Sequence, residues 1–412
     1  MFERGSRPVT GRRMVGAVLV TMVVAWLAGA PGAVAANGTT GDATGAPVKV
    51  GLLTTGSCNG CTGQAEQPVA EATVKWLNQT QNGLAGHQIV LDVCVDHNDP
   101  GTAVDCANQM IRDGVAAVIE GSDGVAGTTW PIIHGAGLPL INHSVTDTNV
   151  LADPQSTFIL YDPLAQTVTL PIAVAKQKHA KKISVIVVDF PTATDIYKSA
   201  ASLFKQAGIA LDVVPVALGA TDMTPQAQQI EQSNPSGVVS VVGAGPFCVA
   251  AFNALHAVGF HSTITTISFC ITNDLPKSVP TSVLKGIKFG AEAPFGDKTD
   301  SSMRQYAAIL KKYAPSVDPN DQNGVVLFQS VNALTVGTRG LQGDVSPKSV
   351  IAALKAMPNA VLPASGGRVY RCNGKASSFS PAICSVSTVV ASLDASGNPT
   401  RYTLANNSPI PG

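Results

Sequence analysis

The sequence predicts an α/β protein of two doubly wound, Rossmann-like lobes. Three observations predict it: an unbroken βαβαβ pattern between Val48 and Gly121, a second α/β series beginning at Ala165, and an Asp162-Pro163 step between them. The first strand spans residues 48–53, and a Gly-rich turn over 56–63 leads to a helix with Val69, Val74, Trp76 and Leu77 at helical spacing. Residues 88–96 alternate as a strand. Asp99 and Pro100 then stand at the N-cap and first position of a second helix, which leads to an apolar strand at 116–119. A helix carrying Trp130, Ile132 and Ile133, a strand at 139–142 and another at 157–161 close the group. Ligands of open α/β sheets bind beyond the carboxyl ends of the strands, so residues 56–63, 96–99 and 121–124 are expected to line a site.

The second series reads as helix 165–178, strand 183–188, helix 194–207, strand 211–216, helix 224–233, strand 238–242, helix 249–258 and strands 263–267 and 286–290. A helix over 303–312 and an amphipathic stretch over 325–341 fit back on the first lobe. In the tail, alternation replaces helical spacing around 368–372, 386–393 and 401–404, with Ala395-Ser396-Gly397-Asn398 as a hairpin turn. The expected organisation is a signal peptide at 1–35, a flexible lead-in at 36–47, a first lobe of 48–163 and 293–342, and a second of 164–292 and 343–412.

Arg4, Arg7, Arg12 and Arg13 precede an apolar run from Met14 to Ala30, and Ala33-Val34-Ala35 supplies a small-residue cleavage signal, so export to the periplasm or cell surface is expected. No cysteine follows the run to take a lipid anchor. Removing that segment leaves roughly 375 residues, too many for one ordinary core. Lysine plus arginine and aspartate plus glutamate each total 27, and without a basic stripe nucleic acid has no electrostatic claim as a partner. Eight cysteines in an oxidising compartment favour disulfides. Locality pairs Cys248 with Cys270 and Cys372 with Cys384, leaving Cys58, Cys61, Cys94 and Cys106 to join in any of three ways.

In the second lobe Asp189, Phe190 and Thr192 follow its first strand and are expected to face the cleft. Capping of the next helix is an equal role for Asp189. Ala244 and Phe247 belong to a Gly-containing turn after another strand. Gly243-x-Gly245 is no dinucleotide fingerprint, because Cys248 stands where a third glycine belongs. The histidines show no metal-ligand spacing beyond His256 and His261, and no cofactor is expected. Neither a Gly-x-Ser-x-Gly elbow nor a recognisable carboxylate pair offers catalysis. Cys58-x-x-Cys61 has the spacing of a redox pair, yet six further cysteines and its flanking residues favour a structural bond.

The order and spacing of several segments resemble the type I periplasmic binding proteins, of the branched-chain-amino-acid type that serves ABC importers. The residues carrying the resemblance are 48–53, Asn82-Gly83-Leu84-Ala85-Gly86-His87, the Asp-Pro-Gly turn within 96–107, residues 113–119 and Ala352-Ala353-Leu354-Lys355-Ala356-Met357. The resemblance implies two lobes on a three-segment hinge that close over a small polar metabolite, such as an amino acid or amide, and dock on an ABC permease. It also implies ligand contacts at Ser122, Asp123 and Gly124 and at Ser144, Val145 and Thr146. The acid that commonly receives an α-ammonium group is missing near Phe269-Cys270-Ile271, and Asp123 stands where a ligand carboxylate is expected. Together these disfavour an ordinary α-amino acid and point to a neutral or cationic ligand. The alternatives are a ligand sensor for a membrane signalling partner and a thiol-disulfide oxidoreductase using Cys58 and Cys61.

Overall fold

The structure, a computed structural model, describes residues 41–412 other than 59, 60, 122, 123 and 273. The expected signal peptide lies outside the described residues. Strand β1 (Gly45–Thr54) runs parallel to β2 (His87–Val95) on one side and β3 (Val118–Glu120) on the other. β4 (Leu140–Asn142) and β5 (Thr157–Ile159) complete a parallel sheet of order β2-β1-β3-β4-β5. Parallel sheets are covered on both faces, so an inner strand needs consecutive apolar residues. Thus Leu52 packs with Val74 and Leu77 of the helix Glu66–Thr80, whereas its neighbour Leu53 packs with Ala107 and Met110 of the helix Pro100–Asp113.

Part of the segment expected as a flexible lead-in is ordered. Gly41 and Ala43 donate backbone hydrogen bonds to Thr80 and Asn78, and Ala43 is buried. Small side chains let this stretch lie close against the end of the first helix, where composition alone suggested freedom.

A second parallel set comprises β6 (Lys182–Val188), β7 (Ala210–Val216), β8 (Val238–Val242), β9 (Thr263–Ile267) and β10 (Lys288–Ala291). The helix expected over 165–178 opens as a π-helical turn, Ala165–Thr169, before the α-helix Leu170–Lys178. Pro171 has no N–H to give to the preceding turn. Likewise the helix expected from 249 starts at Pro246, because Gly245, at φ +46°, makes the turn and proline suits a first helical position.

After β10 the chain returns to the first sheet through the helices Ser301–Tyr313 and Gln322–Gly337, whose Met303, Tyr306, Val325 and Phe328 pack with Val69 and Ala72. The next stretch corrects the expected lobe boundary. Val350 and Leu354 of the helix Pro347–Ala356, and Tyr370, Cys372 and Cys384 around the small hairpin β11 (Ala360–Val361) and β12 (Val369–Tyr370), all join the first sheet's core. Only β13 (Thr388–Ser392) and β14 (Thr403–Ala405) go to the second sheet, antiparallel at its edge, giving the order β14-β13-β10-β9-β8-β6-β7. Alternation identifies a strand but not the sheet that receives it. The extreme tail then comes back: Asn407 accepts from the Val369 N–H, and Asn359 both donates to the Ile410 carbonyl and accepts from its N–H.

Disulfides join Cys58 to Cys61, Cys94 to Cys106, Cys248 to Cys270 and Cys372 to Cys384. Among the described residues no helix is long and apolar enough to cross a membrane.

Candidate ligand cleft

In the first sheet the chain order reverses at β1, whose neighbours are β2 and β3, so the loops after these three strands stand at the topological switch point, where open α/β sheets bind ligands. Its floor is acidic. Glu66 is fully buried at the start of its helix, where the exposed N–H groups favour negative charge, and accepts from Thr54 Oγ1 at 2.5 Å. A Cβ on Gly121 would fall 2.2 Å from Glu66 Oε2, so only glycine leaves room for this carboxylate. A Cβ on Gly63 would fall 2.4 Å from Thr55 Oγ1 and 2.9 Å from Glu66 Oε2, which places both oxygens against one glycine.

Asp96 follows β2 as Thr55 follows β1, and the pair continues the parallel register that matches Thr54 with Val95. Asp96 Oδ1 accepts from the Asn98 N–H at 2.7 Å. Asp96 Oδ2 and Thr55 Oγ1 are buried without hydrogen-bond partners among the described residues. Burial pushes the Asp96 carboxyl up from its ordinary range, against the pull of the Asn98 N–H. Asn98 is the bridge: Oδ1 accepts from the Gly124 N–H at 3.0 Å, and Nδ2 approaches Cys61 Sγ at 3.9 Å. His97 and Asn98 both hold positive φ, which asparagine tolerates and histidine adopts only under the constraint of its surroundings.

Glu120, buried at the end of β3, accepts from Thr129 Oγ1 at 2.6 Å and Asn142 Nδ2 at 2.9 Å. Asn142 in turn accepts from the Ser144 N–H. These bonds fix the loop after β4, where Ser144 and Thr146 are exposed and Val145 is buried in the core. Of the residues expected after β3, Gly124 is exposed, and Ser122 and Asp123 lie outside the described residues.

In the second sheet Asp189 and Phe190 are exposed after β6. Asp189 does not cap the following helix, Pro191–Ser199: the N-cap is Phe190 and no side chain bonds there. Asp189 instead borders a cavity of about 470 Å³ that also touches Tyr197, Lys198 and Pro215, on the flank between this helix and β7. Thr192 lies in the helix, and its side chain is outside the described residues. Ala244 is exposed after β8. Phe247 is corrected to a packing residue: it is buried in the second sheet's core, its ring pressed against Gly243. An aromatic residue in the first turn of a helix can point to ligand or core, and patterning does not distinguish the two.

A buried polar cluster where the chain passes between the sheets is absent from the sequence expectations. Tyr161 stacks on His143 with ring centroids 5.5 Å apart, and the Arg368 guanidinium lies 4.9 Å from the Tyr161 ring centroid. Arg368 donates to Gln329 Oε1 at 2.7 Å. Glu292 accepts from Gln166 Nε2 at 2.6 Å and Ser268 Oγ at 2.9 Å, while Gln166 Oε1 accepts from the Ser268 N–H. Burial raises the Glu292 carboxyl above its usual range and lowers Arg368 to about 10. Burial, and secondarily the charge of Arg368, hold His143 well below the ordinary imidazole range. The available sequence signal was a charge at the end of an apolar strand: Glu120 after Val118-Ile119, and Glu292 after Phe289-Gly290-Ala291. Arg368 read only as part of an alternating strand.

The family described as periplasmic binding protein matches residues 47–379. Solved structures share the fold at low identity. An ABC transporter substrate-binding protein from Sphaerobacter thermophilus is 16% identical over 89% of this chain and 98% of its own, with a TM-score of 0.70. The branched-chain amino acid transporter substrate-binding protein LivJ from Streptococcus pneumoniae, in complex with isoleucine, is 16% identical over 87% of this chain and 99% of its own, with a TM-score of 0.66. A solute-binding protein of an ABC transporter from R. palustris, in complex with 4-hydroxybenzoate, is 20% identical over 88% of this chain and 98% of its own, with a TM-score of 0.68. No curated protein matches the chain.

Proposed function

The chain belongs to the periplasmic binding protein family, a family of substrate-binding proteins rather than enzymes, and on that premise we propose that it is an exported receptor delivering a small polar metabolite to an ABC permease. The observation that carries this reading is the pair of doubly wound sheets joined by a hydrogen-bonded set of crossings, with acceptor-rich loops at the carboxyl ends of the first. Lobe boundaries at 163, 292 and 387 fit this arrangement. Ligand is held between the strand-end loops, with Gly124, Ser144 and Thr146 from the first lobe and Asp189 and Phe190 from the second. Ser122 and Asp123 complete the first lobe's set.

Only a difference in affinity between open and closed forms can drive closure, so ligand must touch both lobes. No covalent step is required. The Cys58–Cys61 bond then serves to clamp a cleft loop, not to exchange electrons. Support also comes from the solute-binding neighbours, whose ligands, isoleucine and 4-hydroxybenzoate, are both small molecules. The test is a thermal-shift screen of the full chain against amino acids, amides, polyamines and short acids. A saturable rise in melting temperature without turnover of the ligand supports the reading, and flat curves throughout overturn it.

A further inference from the structure

The strand-end loops of both sheets have a one-sided charge. Beside Asp222, Glu292, Asp297 and Asp300, whose carboxylates accept from Thr224, Ser268, Thr299 and Met303, they hold Asp96, Asp99, Asp147, Asp162, Asp189 and Asp274, and their single lysine or arginine is Lys298, between β10 and the helix Ser301–Tyr313. Helix capping accounts for Asp99 and Asp147, whose carboxylates accept from the first-turn N–H groups of Thr102 and of Asn149 and Val150. Asp274 pairs with Lys277, and Asp162 accepts from the Leu164 N–H. Two carboxylates keep an oxygen without such a use, and one of them, Asp96, accepts from the Asn98 N–H through Oδ1 alone. Asp189 does not cap the next helix, whose N-cap is Phe190, and Lys198, which borders the same cavity, pairs with Asp195 instead.

Asp96 is the more telling case. It is wholly enclosed, yet Oδ2 has no partner, and neither does Thr55 Oγ1 at the end of the paired strand. A buried carboxylate oxygen without a donor is costly unless something supplies one. The buried cation nearest in kind, Arg368, is already held by Gln329 and the Tyr161 ring. Resting on the binding reading above, we infer that the ligand carries a positive charge, and that Asp96 Oδ2 with Thr55 Oγ1 receives its cationic nitrogen while Asp189 faces it from the second lobe. The cleft thereby selects amines, guanidines or quaternary ammonium compounds over acids. Rejection of acids follows from the same groups, because a ligand carboxylate would meet Asp96 and the buried Glu66, whereas the loops' one lysine, Lys298, stands exposed after β10 of the other sheet.

The experiment titrates the full chain, by thermal shift and calorimetry, with putrescine, agmatine and choline, with L-isoleucine as a zwitterion and with 4-hydroxybenzoate as an anion. A small-molecule cell extract, separated into cation-exchange, anion-exchange and unretained fractions, extends the series to unnamed compounds. Stabilisation by a named cation or by the cation-exchange fraction is expected. The affinity of that cation should fall at least tenfold in Asp96→Asn and weaken with added salt. Thr55→Val provides a second variant, and unchanged circular dichroism shows that both fold. Stabilisation by the other fractions or probes alone overturns the inference and leaves the receptor reading standing. Silence of every probe and fraction overturns both. A cation that binds Asp96→Asn and Thr55→Val as tightly as the parent overturns the assigned contacts.

Discussion

The Tyr161 hydroxyl lies 2.6 Å from Thr388 Oγ1, and Thr388 Oγ1 is 3.3 Å from the carbonyl oxygen of Ala291. Three stretches far apart in sequence, those after β5, at the end of β10 and at the start of β13, are thereby fastened side by side where the chain passes between its two sheets. The bonds are buried, so each replaces water that cannot reach the same atoms.

Tyr161→Phe removes one of these bonds and keeps the ring that stacks on His143 and faces Arg368. A loss of about 1 kcal/mol in urea unfolding is expected, with the far-ultraviolet spectrum unchanged. Because Tyr161 sits at the crossings between the sheets, the same variant should also alter ligand affinity in a thermal-shift titration, although Tyr161 lies outside the proposed contacts.

Arg368→Met leaves Glu292 without its nearby positive charge and Gln329 without its donor. Breaking a buried charge set from one side costs on the order of 3 kcal/mol or more. A double variant with Glu292→Gln should lose less than the sum of the two single losses, which a denaturation cycle measures.

Asp162 titrates near 6 because burial outweighs the Leu164 N–H that bonds it. A raised carboxyl takes up its proton more readily in the folded state, so its contribution is fully present below the unfolded value near 4 and is lost as pH rises to about 6. His143 acts in the opposite sense: its depressed value makes folding lose stability as pH falls below about 6.5. Asp162→Asn keeps the acceptor for Leu164 and removes the first effect. Relative to the parent, the variant should gain stability between pH 4 and 6 and stay more stable above, by up to about 3 kcal/mol.

Gly121→Ala forces a methyl group into the space of the Glu66 carboxylate. Displacing a buried carboxylate held by Thr54 should cost about 1–3 kcal/mol and weaken ligand binding together with it. Unchanged affinity in this variant would separate the floor from the site.

Denatured, unreduced protein should show no reactive thiol in a colorimetric titration, since all eight cysteines are paired. Replacing Cys372 and Cys384 by alanine opens a short loop in the first sheet's core, at a cost of about 3 kcal/mol by loop entropy.

Most strands and helices were legible because their signals are local. Residues 224–233, 238–242 and 263–267 form the elements their periodicity predicts, and Asp99-Pro100 starts a helix as capping chemistry requires. The helix at 165–178 shows the limit, since the effect of Pro171 on the preceding turn depends on the packing that holds Ala165 and Val168 in place. At the site, Gly124, Ser144 and Thr146 lie on the expected loops, whereas Phe247 turned inward.

What the sequence by itself determined is the alternation of strand and helix, two of the four disulfides, and the strand ends where polar loops gather. These follow from spacing along the chain, because side-chain periodicity and capping act within a few residues. Tertiary structure alone decided that residues 347–384 belong with the first sheet, that Glu66, Glu120 and Glu292 are buried, and that Arg368 reaches Tyr161 and Gln329. A charge becomes costly or useful only once its surroundings exclude water, and those surroundings come from segments hundreds of residues apart.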